Sequence, residues 1–381
     1  MLKKIILLLI LFTISFVFIS MIVLPKNSDI NEELAKDSND SLDLKIGQMI
    51  MMGIKSRTSV SENDSLLQEI REHKLGGVVL FEKNISPANS RNELINLIST
   101  IQAAAAIPLF ISIDEEGGLV HRLKEKYGFV GMPSAMRLGK INSADCTLFY
   151  NRRLTAELSE LGFNCNYAPT LDMAVNPENT VIVKRQRSFS EDPDIVSKHA
   201  LLCIQAHHEN NIKTILKHFP GHGSSTADSH AGIVDVTESW SFKELYPYFS
   251  ILSSGSCDAI MTAHIINKRW DDSYLPATLS KRVVIDMLRG LLGYKGVVFS
   301  DDMQMGAISK NYGFENAIEL AINAGVDVLM FANNVGSDQK MISASEVHAV
   351  IKKMVKKKKI SRERINEAYS RIILLKNKKY F

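Results

Sequence analysis

The stretch GVVFSDD, residues 296–302, joins a short apolar run to two aspartates. An apolar run without alternating polar residues is typical of a strand that is covered on both faces of a parallel sheet. Similar runs, most of them continuous, recur along the chain: GQMIMMGI (47–54), LGGVVLF (75–81), LFISID (109–114), FNCNYAPTLD (163–172), TILKHF (214–219), AIMTAHI (259–265) and VDVLMFA (326–332). The sequence therefore predicts eight buried strands.

The segments between these runs have the apolar spacing of amphipathic helices, as in residues 63–74 and 93–105. Residues 280–293 predict a further helix, with Ser280 as its N-cap and Gly293 as its C-cap. Strands that alternate with helices predict an α/β fold of the (β/α)8 TIM-barrel type. A doubly wound open sheet is the alternative, but no G-x-G-x-x-G motif follows the first run.

Several of the predicted strands end in a reactive or charged side chain. These side chains are Asp114, Asp172, Lys217 with His218, His264 and Asp301. Because the C-terminal ends of barrel strands face one common opening, where barrel active sites lie, we expect these groups to share a single catalytic pocket.

The loop KHFPGHGSSTADSH, residues 217–230, collects three histidines and an aspartate. His218 and His222 have a zinc-like spacing, but the intervening F-P-G cannot form the interior of a helix, so no metal is predicted. Asp228 and His230 fit a proton-transfer pair, in which the carboxylate fixes the tautomer of the imidazole. Taken alone, D-S-H also fits a polar surface loop.

Carboxylates elsewhere supply further chemistry. Asp301 follows a predicted strand directly and suits a nucleophile or a metal ligand, whereas Asp302 is expected to point elsewhere and to cap the next helix. A carboxylate nucleophile with a separate proton donor makes the retaining mechanism of sugar hydrolysis. In residues 113–123, Asp114 and Arg122 flank two glycines and can hold sugar hydroxyls, or they form an internal salt bridge.

Composition excludes several classes of protein. A net charge of +3 is too small for a dedicated nucleic-acid binder. The basic run at residues 352–359 is expected to be a solvated helix face. The cysteines include no C-x-x-C pair, which argues against a disulfide framework and a zinc ribbon.

The N-terminus predicts export. Lys3 and Lys4 precede residues 5–24, which carry no charge, and a membrane-spanning helix needs about 20 such residues. No small-residue cleavage pattern follows, so an uncleaved signal anchor is favoured over a cleaved signal peptide. The lysines should stay cytoplasmic, leaving the body anchored to the cytoplasmic membrane and facing outward, or secreted or periplasmic if the segment is cleaved.

We therefore predict three regions. Residues 1–24 form a hydrophobic helix that is a signal anchor or signal peptide, and residues 25–42 form a polar stalk. Residues 43–381 form a single catalytic barrel, which we expect to be monomeric.

Six motifs of the body belong together: IDEEGGLVHRL, NYAPTLDM, RSFSEDP, LKHFPGHGSSTADSH, PATLSKRVV and LLGYKGVVFSDDMQMGAI. In this combination the chain resembles glycoside hydrolase family 3, in its β-N-acetylglucosaminidase branch. K-H-F-P-G-H-G followed by D-S-H is the pattern specific to that branch. The resemblance extends over residues 45–375 and implies a (β/α)8-type barrel, in agreement with the eight runs.

The resemblance also implies roles for individual residues. Asp301 corresponds to the nucleophile, His230 to the general acid/base and Asp228 to the residue that orients it. The positions that bind the sugar correspond to Asp114, Arg122, Arg187, Lys217 and His218. A carbohydrate containing N-acetylglucosamine is the implied substrate, with no metal or organic cofactor.

Three departures from the family pattern stand near these motifs. Leu119 replaces a frequent arginine, Ser190 replaces a usual glycine, and the spacing before RSF leaves Arg185 as an alternative to Arg187. The predicted activity is that of a retaining exo-β-N-acetylglucosaminidase on peptidoglycan-derived sugars. The alternatives are an N-acetylglucosaminide phosphorylase, a β-glucosidase and a glycan-binding barrel without catalysis.

Overall fold

A computed structural model describes residues 41–229, 232–334 and 341–380 of the chain. The predicted hydrophobic helix, residues 1–24, and all but the last two residues of the predicted stalk lie outside this part. No helix of the described residues is long and apolar enough to span a membrane.

Eight parallel strands close into a barrel, in the order β1, β2, β3, β4, β5, β7, β9, β10 and back to β1, while β6 pairs with β8 in a small separate sheet. The strands are β1 Ile50–Gly53, β2 Gly77–Leu80, β3 Phe110–Ile113, β4 Cys165–Asn166, β5 Lys213–Phe219, β6 Val234–Asp235, β7 Ala259–Thr262, β8 Ile265–Ile266, β9 Val297–Asp302 and β10 Val328–Phe331. Each predicted run contains one barrel strand, so the predicted (β/α)8 barrel is confirmed and the open sheet was wrong.

Helices surround the barrel. They are α1 Leu42–Gln48, α2 Ser65–Arg71, α3 Ser90–Ala103, α4 Ala135–Ile141, α5 Ala144–Leu161, α6 Pro193–Glu209, α7 Tyr246–Ser253, α8 Gly306–Ser309, α9 Phe314–Ala324, α10 Ala344–Lys356 and α11 Arg362–Asn377. A π-helix spans Arg282–Leu291, and short 3-10 helices span Glu82–Asn84, Glu125–Tyr127, Phe242–Leu245 and Ala277–Leu279. The exposed lysines of the basic run lie on α10 and just beyond it, as expected for a solvated face.

Side-chain caps explain where several helices begin. The hydroxyl of Ser143 accepts the amide proton of Cys146 at the start of α5, and Ser343 and Glu346 form a capping box at the start of α10. Ser280 accepts an amide hydrogen bond from Val283 at 3.3 Å, but the caps of the helix are Lys281 and Leu292, each one residue inside the predicted caps Ser280 and Gly293. The helix that follows is a π-helix rather than the expected α-helix.

Aromatic and sulfur-bearing side chains fill the interior of the barrel. Phe299 packs edge-to-face on Phe110 and on Tyr167, with ring centroids 5.7 and 6.4 Å apart. The hydroxyl of Tyr167 lies 2.9 Å from the sulfur of Met51. The barrel is therefore a packed core, which leaves the ends of the strands as the place for a cavity.

Charged side chains from α11 pack against the N-terminal ends of the strands. Lys376 donates to the side chain of Gln48 at 2.6 Å and to the carbonyl of Gly76 at 2.8 Å. The buried carboxylate of Asp327 pairs with Arg364 at 2.7 Å and with Arg371 at 3.0 Å. These contacts hold the last helix to this end of the barrel, where residues of the fold serve stability rather than catalysis.

Candidate active site

A cavity of about 250 Å³ opens at the C-terminal ends of the barrel strands. Among the residues that line it are seven of the eight predicted site residues: Asp114, Arg122, Arg187, Lys217, His218, Asp228 and Asp301. The eighth, His230, lies outside the described residues. The barrel thus brings together side chains from β5 and β9 and from the segments that follow β3, β4 and β5.

Lys217 is the central cation of the cavity floor. Its ammonium donates to Asp114 at 2.6 Å and lies 2.7 Å from Glu116. Arg187 binds the same glutamate with two hydrogen bonds, of 2.9 and 2.8 Å. Such bidentate pairs fix the position of both partners. The floor is therefore a network of two cations and two carboxylates.

The charges of this network control ionisation. Burial alone would raise the pKa of Asp114, but the charges of Lys217 and Arg122 outweigh it and hold that pKa below its ordinary value. Burial would also raise the pKa of Glu116. The charges of Arg187 and Lys217 outweigh it and lower that pKa far below its usual range. Both groups are therefore carboxylates at neutral pH, and that of Asp114, which lines the cavity, can accept hydrogen bonds from a polar ligand.

A tight loop after β3 carries Arg122 to the cavity. Gly117 and Gly118 adopt positive φ values of +94° and +58°, which fits the predicted turn. Glu115 accepts the amide protons of Arg122 and Leu123 at 2.9 and 3.0 Å. Arg122 then reaches the carboxylate of Asp114 at 3.5 Å, so the two form an ion pair and also line the cavity.

His218 is held by Asp172 from below. Its Nδ1 lies 2.6 Å from Asp172, and its Nε2 lies 3.3 Å from the guanidinium of Arg187. A guanidinium only donates, so Nε2 accepts and Nδ1 carries the proton toward Asp172. Burial opposes the ionisation of Asp172, but His218 and the backbone amide of His222 keep its pKa below the usual range.

The two adjacent aspartates at the end of β9 have different environments. Asp301 lines the cavity and accepts the amide proton of Asp302 at 2.7 Å. Asp302 accepts instead from the amides of Gln304 and Ala332, each at 3.0 Å. The expectation that Asp302 caps the next helix was wrong, because α8 begins after Met305 and its first turn has no side-chain cap.

The loop after β5 brings Asp228 and Ser229 to the same cavity. The carbonyl of Ser229 accepts the amide proton of Ala307, in the first turn of α8, at 3.2 Å. This contact holds Ser229, and Asp228 next to it, beside the end of β9, which carries Asp301. Pairing of Asp228 with His230 remains a prediction.

Two of the polar groups at strand ends do not line the cavity. His264 bonds to the hydroxyl of Thr278 at 2.8 Å and to the carbonyl of Asp302 at 3.0 Å. Asp172 lies beneath His218. The expectation that all these groups share one pocket was therefore wrong for His264 and Asp172, because both side chains are fully buried behind residues that line the cavity or at the end of β9.

The departures from the family pattern differ in their relation to the cavity. Leu119 lines it and is 55% exposed. Arg185 also lines it but is exposed, whereas Arg187 is the arginine of the buried network. Ser190 lies at the start of α6, where its hydroxyl accepts the amide proton of Asp192 at 3.0 Å, away from the lining.

Sequence reasoning missed Glu116 and the contacts of His222. Glu116 follows Asp114 by two residues in the same motif, and that spacing on an extended segment was the available signal. The sequence assigned no role to His222, which lines the cavity.

Other features of the described residues carry less chemistry. A larger groove of about 430 Å³, lined mainly by apolar side chains such as Ile308, Phe314 and Phe331, lies apart from the polar network. No cluster of three or more histidine, cysteine, aspartate or glutamate side chains within the described ranges is arranged to hold a metal ion.

Residues 41–375 match the sequence profile of the Glycosyl hydrolase family 3 N terminal domain. The chain belongs to glycosyl hydrolase family 3. This confirms the family that the motifs predicted.

Known relatives agree. The chain is 31% identical over 334 residues to Beta-hexosaminidase A of Pseudoalteromonas piscicida, a match that covers 82% of this chain and 55% of that protein. It is 35% identical over 277 residues to a Beta-hexosaminidase of Tolumonas auensis, covering 72% of this chain and 80% of the relative. The family 3 chain thus spans little more than half the length of the first relative.

A solved structure also matches. It is that of a glycoside hydrolase family 3 beta-N-acetylglucosaminidase from Paenibacillus sp. str. FPU-7. The TM-score is 0.79 at 32% identity, and the match covers 88% of this family 3 chain and 62% of the other.

Proposed function

We propose that this protein is a retaining exo-β-N-acetylglucosaminidase that releases terminal β-linked N-acetylglucosamine from peptidoglycan-derived or related glycans. The observation that carries the proposal is that Asp301 and Asp228, from different barrel elements, line one cavity together with Lys217 and Arg187. The names of the relatives, β-hexosaminidases and a β-N-acetylglucosaminidase, support the choice of sugar.

In the first step, the carboxylate of Asp301 attacks the anomeric carbon. The glycosidic C–O bond breaks, and protonated His230, oriented by Asp228, gives its proton to the departing oxygen. The product is a covalent glycosyl-enzyme ester. A histidine in this role leaves the pocket less negative than a second carboxylic acid would.

In the second step, neutral His230 takes a proton from water. The oxygen of that water attacks the anomeric carbon, and the bond to Asp301 breaks. The sugar leaves with its original configuration, and His230 is protonated for the next cycle.

Substrate binding falls to the charged network. Asp114 and Arg122 can exchange hydrogen bonds with vicinal hydroxyls, while Lys217, Arg187 and His218 hold the ring and its substituents. The cavity of about 250 Å³ is smaller than the roughly 300–1,000 Å³ typical of pockets for drug-sized ligands. It therefore suits one terminal sugar rather than a length of glycan chain.

A panel of aryl glycosides tests the proposal on the purified protein. Release of the aryl group from an aryl N-acetylglucosaminide, but not from the matching glucoside, supports it. Preference for the glucoside favours a β-glucosidase, and a requirement for phosphate favours a phosphorylase. Binding of the sugar without turnover favours a glycan-binding barrel and contradicts the proposal.

Trapping identifies the nucleophile. A 2-fluoro sugar with a good leaving group slows both steps and lets the ester accumulate. Mass spectrometry is expected to find the label on the peptide that contains Asp301, and the Asp301→Ala variant is expected to remain unlabelled. A label on another peptide contradicts the assignment.

We further propose that residues 1–24 anchor the protein to the cytoplasmic membrane, with the barrel facing outward. The uncharged segment behind Lys3 and Lys4 supports this orientation. The protein should then sediment with membranes and resist a salt wash. A soluble protein with a new N-terminus near residues 26–40 contradicts anchoring. A monomeric mass by light scattering in detergent tests the expected oligomeric state.

A further inference from the structure

His222 uses both of its ring nitrogens in hydrogen bonds to serines of its own loop. Its Nδ1 lies 2.7 Å from the hydroxyl of Ser225, and its Nε2 lies 3.3 Å from the hydroxyl of Ser229. Only 2% of the residue is exposed. An imidazole engaged on both sides has no nitrogen left for proton transfer to a substrate, so the side chain acts on its neighbours.

The backbone of His222 is held as firmly as its ring. Its amide donates to Asp172 at 2.7 Å, and its carbonyl accepts from the side chain of Asn179 at 2.8 Å. The same amide nitrogen of Asn179 lies 3.0 Å from the hydroxyl of Ser225. Because Asp172 also binds His218, the position of His222 is fixed relative to the cavity floor.

The protonation state of His222 defines what it can hold. Burial lowers the pKa of His222 to about 4, so at neutral pH one ring nitrogen donates and the other accepts. A neutral imidazole therefore satisfies one hydroxyl as a donor and one as an acceptor without placing a further charge beside the cavity.

Ser229 stands directly between Asp228 and His230. Its side chain meets His222, and its carbonyl meets the amide of Ala307, close to the end of β9. Ser229 is thus held on one side by His222 and on the other by the first turn of α8. The imidazole contact is made by a side chain, so it can be removed by substitution.

We propose that His222 is a positioning residue, which sets through Ser229 where Asp228 and His230 stand relative to Asp301. This inference rests on the proposed function, because it gives His222 an effect only on the step that uses the acid/base. The geometry predicts that loss of the contact weakens proton donation to the leaving group. It does not predict a loss of nucleophilic attack by Asp301.

The test compares leaving groups. With a dinitrophenyl N-acetylglucosaminide the leaving group needs no proton, whereas with an alkyl N-acetylglucosaminide it does. Positioned general acids contribute about 10²–10⁴-fold, and a misplacement of about 1 Å costs about 10²-fold. His222→Phe is therefore expected to lower kcat/KM about 100-fold for the alkyl substrate and less than about 5-fold for the dinitrophenyl substrate.

Two conservative variants separate the two ring contacts. The side-chain amide of asparagine reaches about as far as Nδ1, and that of glutamine about as far as Nε2. His222→Gln is expected to keep much of the activity on the alkyl substrate that His222→Phe loses, whereas His222→Asn is not. Ser229→Ala is expected to show the same selective loss as His222→Phe. Equal behaviour of the Gln and Asn variants, or normal leaving-group dependence in Ser229→Ala, overturns the inference.

His199 supplies a matched control. It is also buried, and it bridges the hydroxyl of Thr147 at 2.8 Å and the side chain of Asn142 at 3.1 Å, away from the cavity. His199→Phe is expected to reduce stability without altering the leaving-group dependence. An equal selective loss in this variant shows that destabilisation alone produces the effect, and overturns the inference.

The two proposals fail in different ways. If the wild-type protein hydrolyses no N-acetylglucosaminide, the proposed function is wrong. If the wild type is active and His230→Ala shows the selective loss for the alkyl substrate, but His222→Phe loses activity equally on both substrates, only the positioning role is wrong.

Discussion

The ammonium of Lys217 lies 2.6 Å from the carboxylate of Asp114, although the two residues are 103 positions apart in the chain. The same ammonium lies 2.7 Å from Glu116. Lys217 is only 2% exposed, so one buried cation contacts two carboxylates in the floor of the cavity. The stability of the fold and the proposed substrate binding therefore depend on the same charge.

Lys217→Met is expected to lower the free energy of unfolding, relative to the wild type, more at neutral pH than at acid pH. Asp114 and Glu116 have native pKa values below their unfolded values, so their stabilising contribution is present above those unfolded values and is lost as the pH falls. Without Lys217 much of this contribution disappears. Removal of one member of a buried ion pair costs about 3–5 kcal/mol. Urea unfolding at pH 7 and at about pH 2, well below the unfolded pKa values of 3.8 and 4.5, measures the difference.

A surface pair provides the control for that experiment. Lys184 lies 2.6 Å from Glu178, but both side chains are largely exposed. Exposed ion pairs contribute little to folding. Lys184→Met should leave the unfolding midpoint nearly unchanged at both pH values. A Lys217→Met variant that behaves like this control would show that the buried network is not stabilising.

Asp301→Asn and Asp302→Asn are expected to differ strongly in how much turnover they lose. Loss of the proposed nucleophile should lower kcat at least about 10³-fold while the protein stays folded. Asparagine at position 302 keeps an oxygen for the amides of Gln304 and Ala332, so turnover should fall far less. Turnover of an aryl N-acetylglucosaminide and thermal unfolding of both variants measure this. Similar losses of activity in the two variants contradict the assignment.

Glu244 is expected to make the protein less stable as the pH rises toward 7. Burial raises the pKa of this carboxyl from 4.5 to about 7, so the native state binds its proton more tightly than the unfolded state. Stability then falls between about pH 4.5 and pH 7, by up to about 3 kcal/mol from this group. Glu244→Gln should remove this dependence of stability on pH. The glutamine oxygen can still accept the amide proton of Gly223, which lies 2.9 Å from the carboxylate of Glu244.

Unfolding free energies of the wild type and of Glu244→Gln, measured from pH 5 to pH 8, isolate the effect of this carboxyl. The variant should gain stability relative to the wild type as the pH rises. Parallel curves would mean that Glu244 ionises normally in the folded protein.

The sequence predicted those parts of the fold that depend on local pattern. The apolar part of a run such as GVVFSDD is continuous because its strand is buried on both faces. The same strand carries Asp301 near its end. The partner of a buried charge is not local. Nothing near Glu116 indicates that it meets Lys217 and Arg187, because only closure of the barrel brings them together.

The roles of neighbouring residues also depend on tertiary contacts. The place of Asp301 directly after the strand predicted that it lines the cavity, but only the tertiary contacts of Asp302 show that it serves the backbone amides of Gln304 and Ala332 rather than capping a helix. His222 was left without a function because its ring partners are serines, which carry no strong sequence signal.

Leu119→Ala is expected to weaken the binding of substrates with apolar aglycones. Leu119 lines the cavity and is 55% exposed, so its removal costs little stability. Loss of an apolar contact worth about 1–2 kcal/mol should raise KM for an aryl N-acetylglucosaminide about 10-fold and leave kcat unchanged. The methyl glycoside should show a smaller change. Leu291→Ala, at a residue that is 70% exposed and outside the cavity, should leave both constants unaltered.

Lys376 and Gln48 meet across a separation of 328 residues, and their contact has a consequence for synthesis. The ribosome must synthesise α11 before side chains such as Lys376 can cover the N-terminal ends of the first strands. Contacts between such distant residues form late, because the loop that they close is long. Until then the growing chain exposes apolar strands, and a product truncated before α11 would be a substrate for proteases rather than a smaller enzyme.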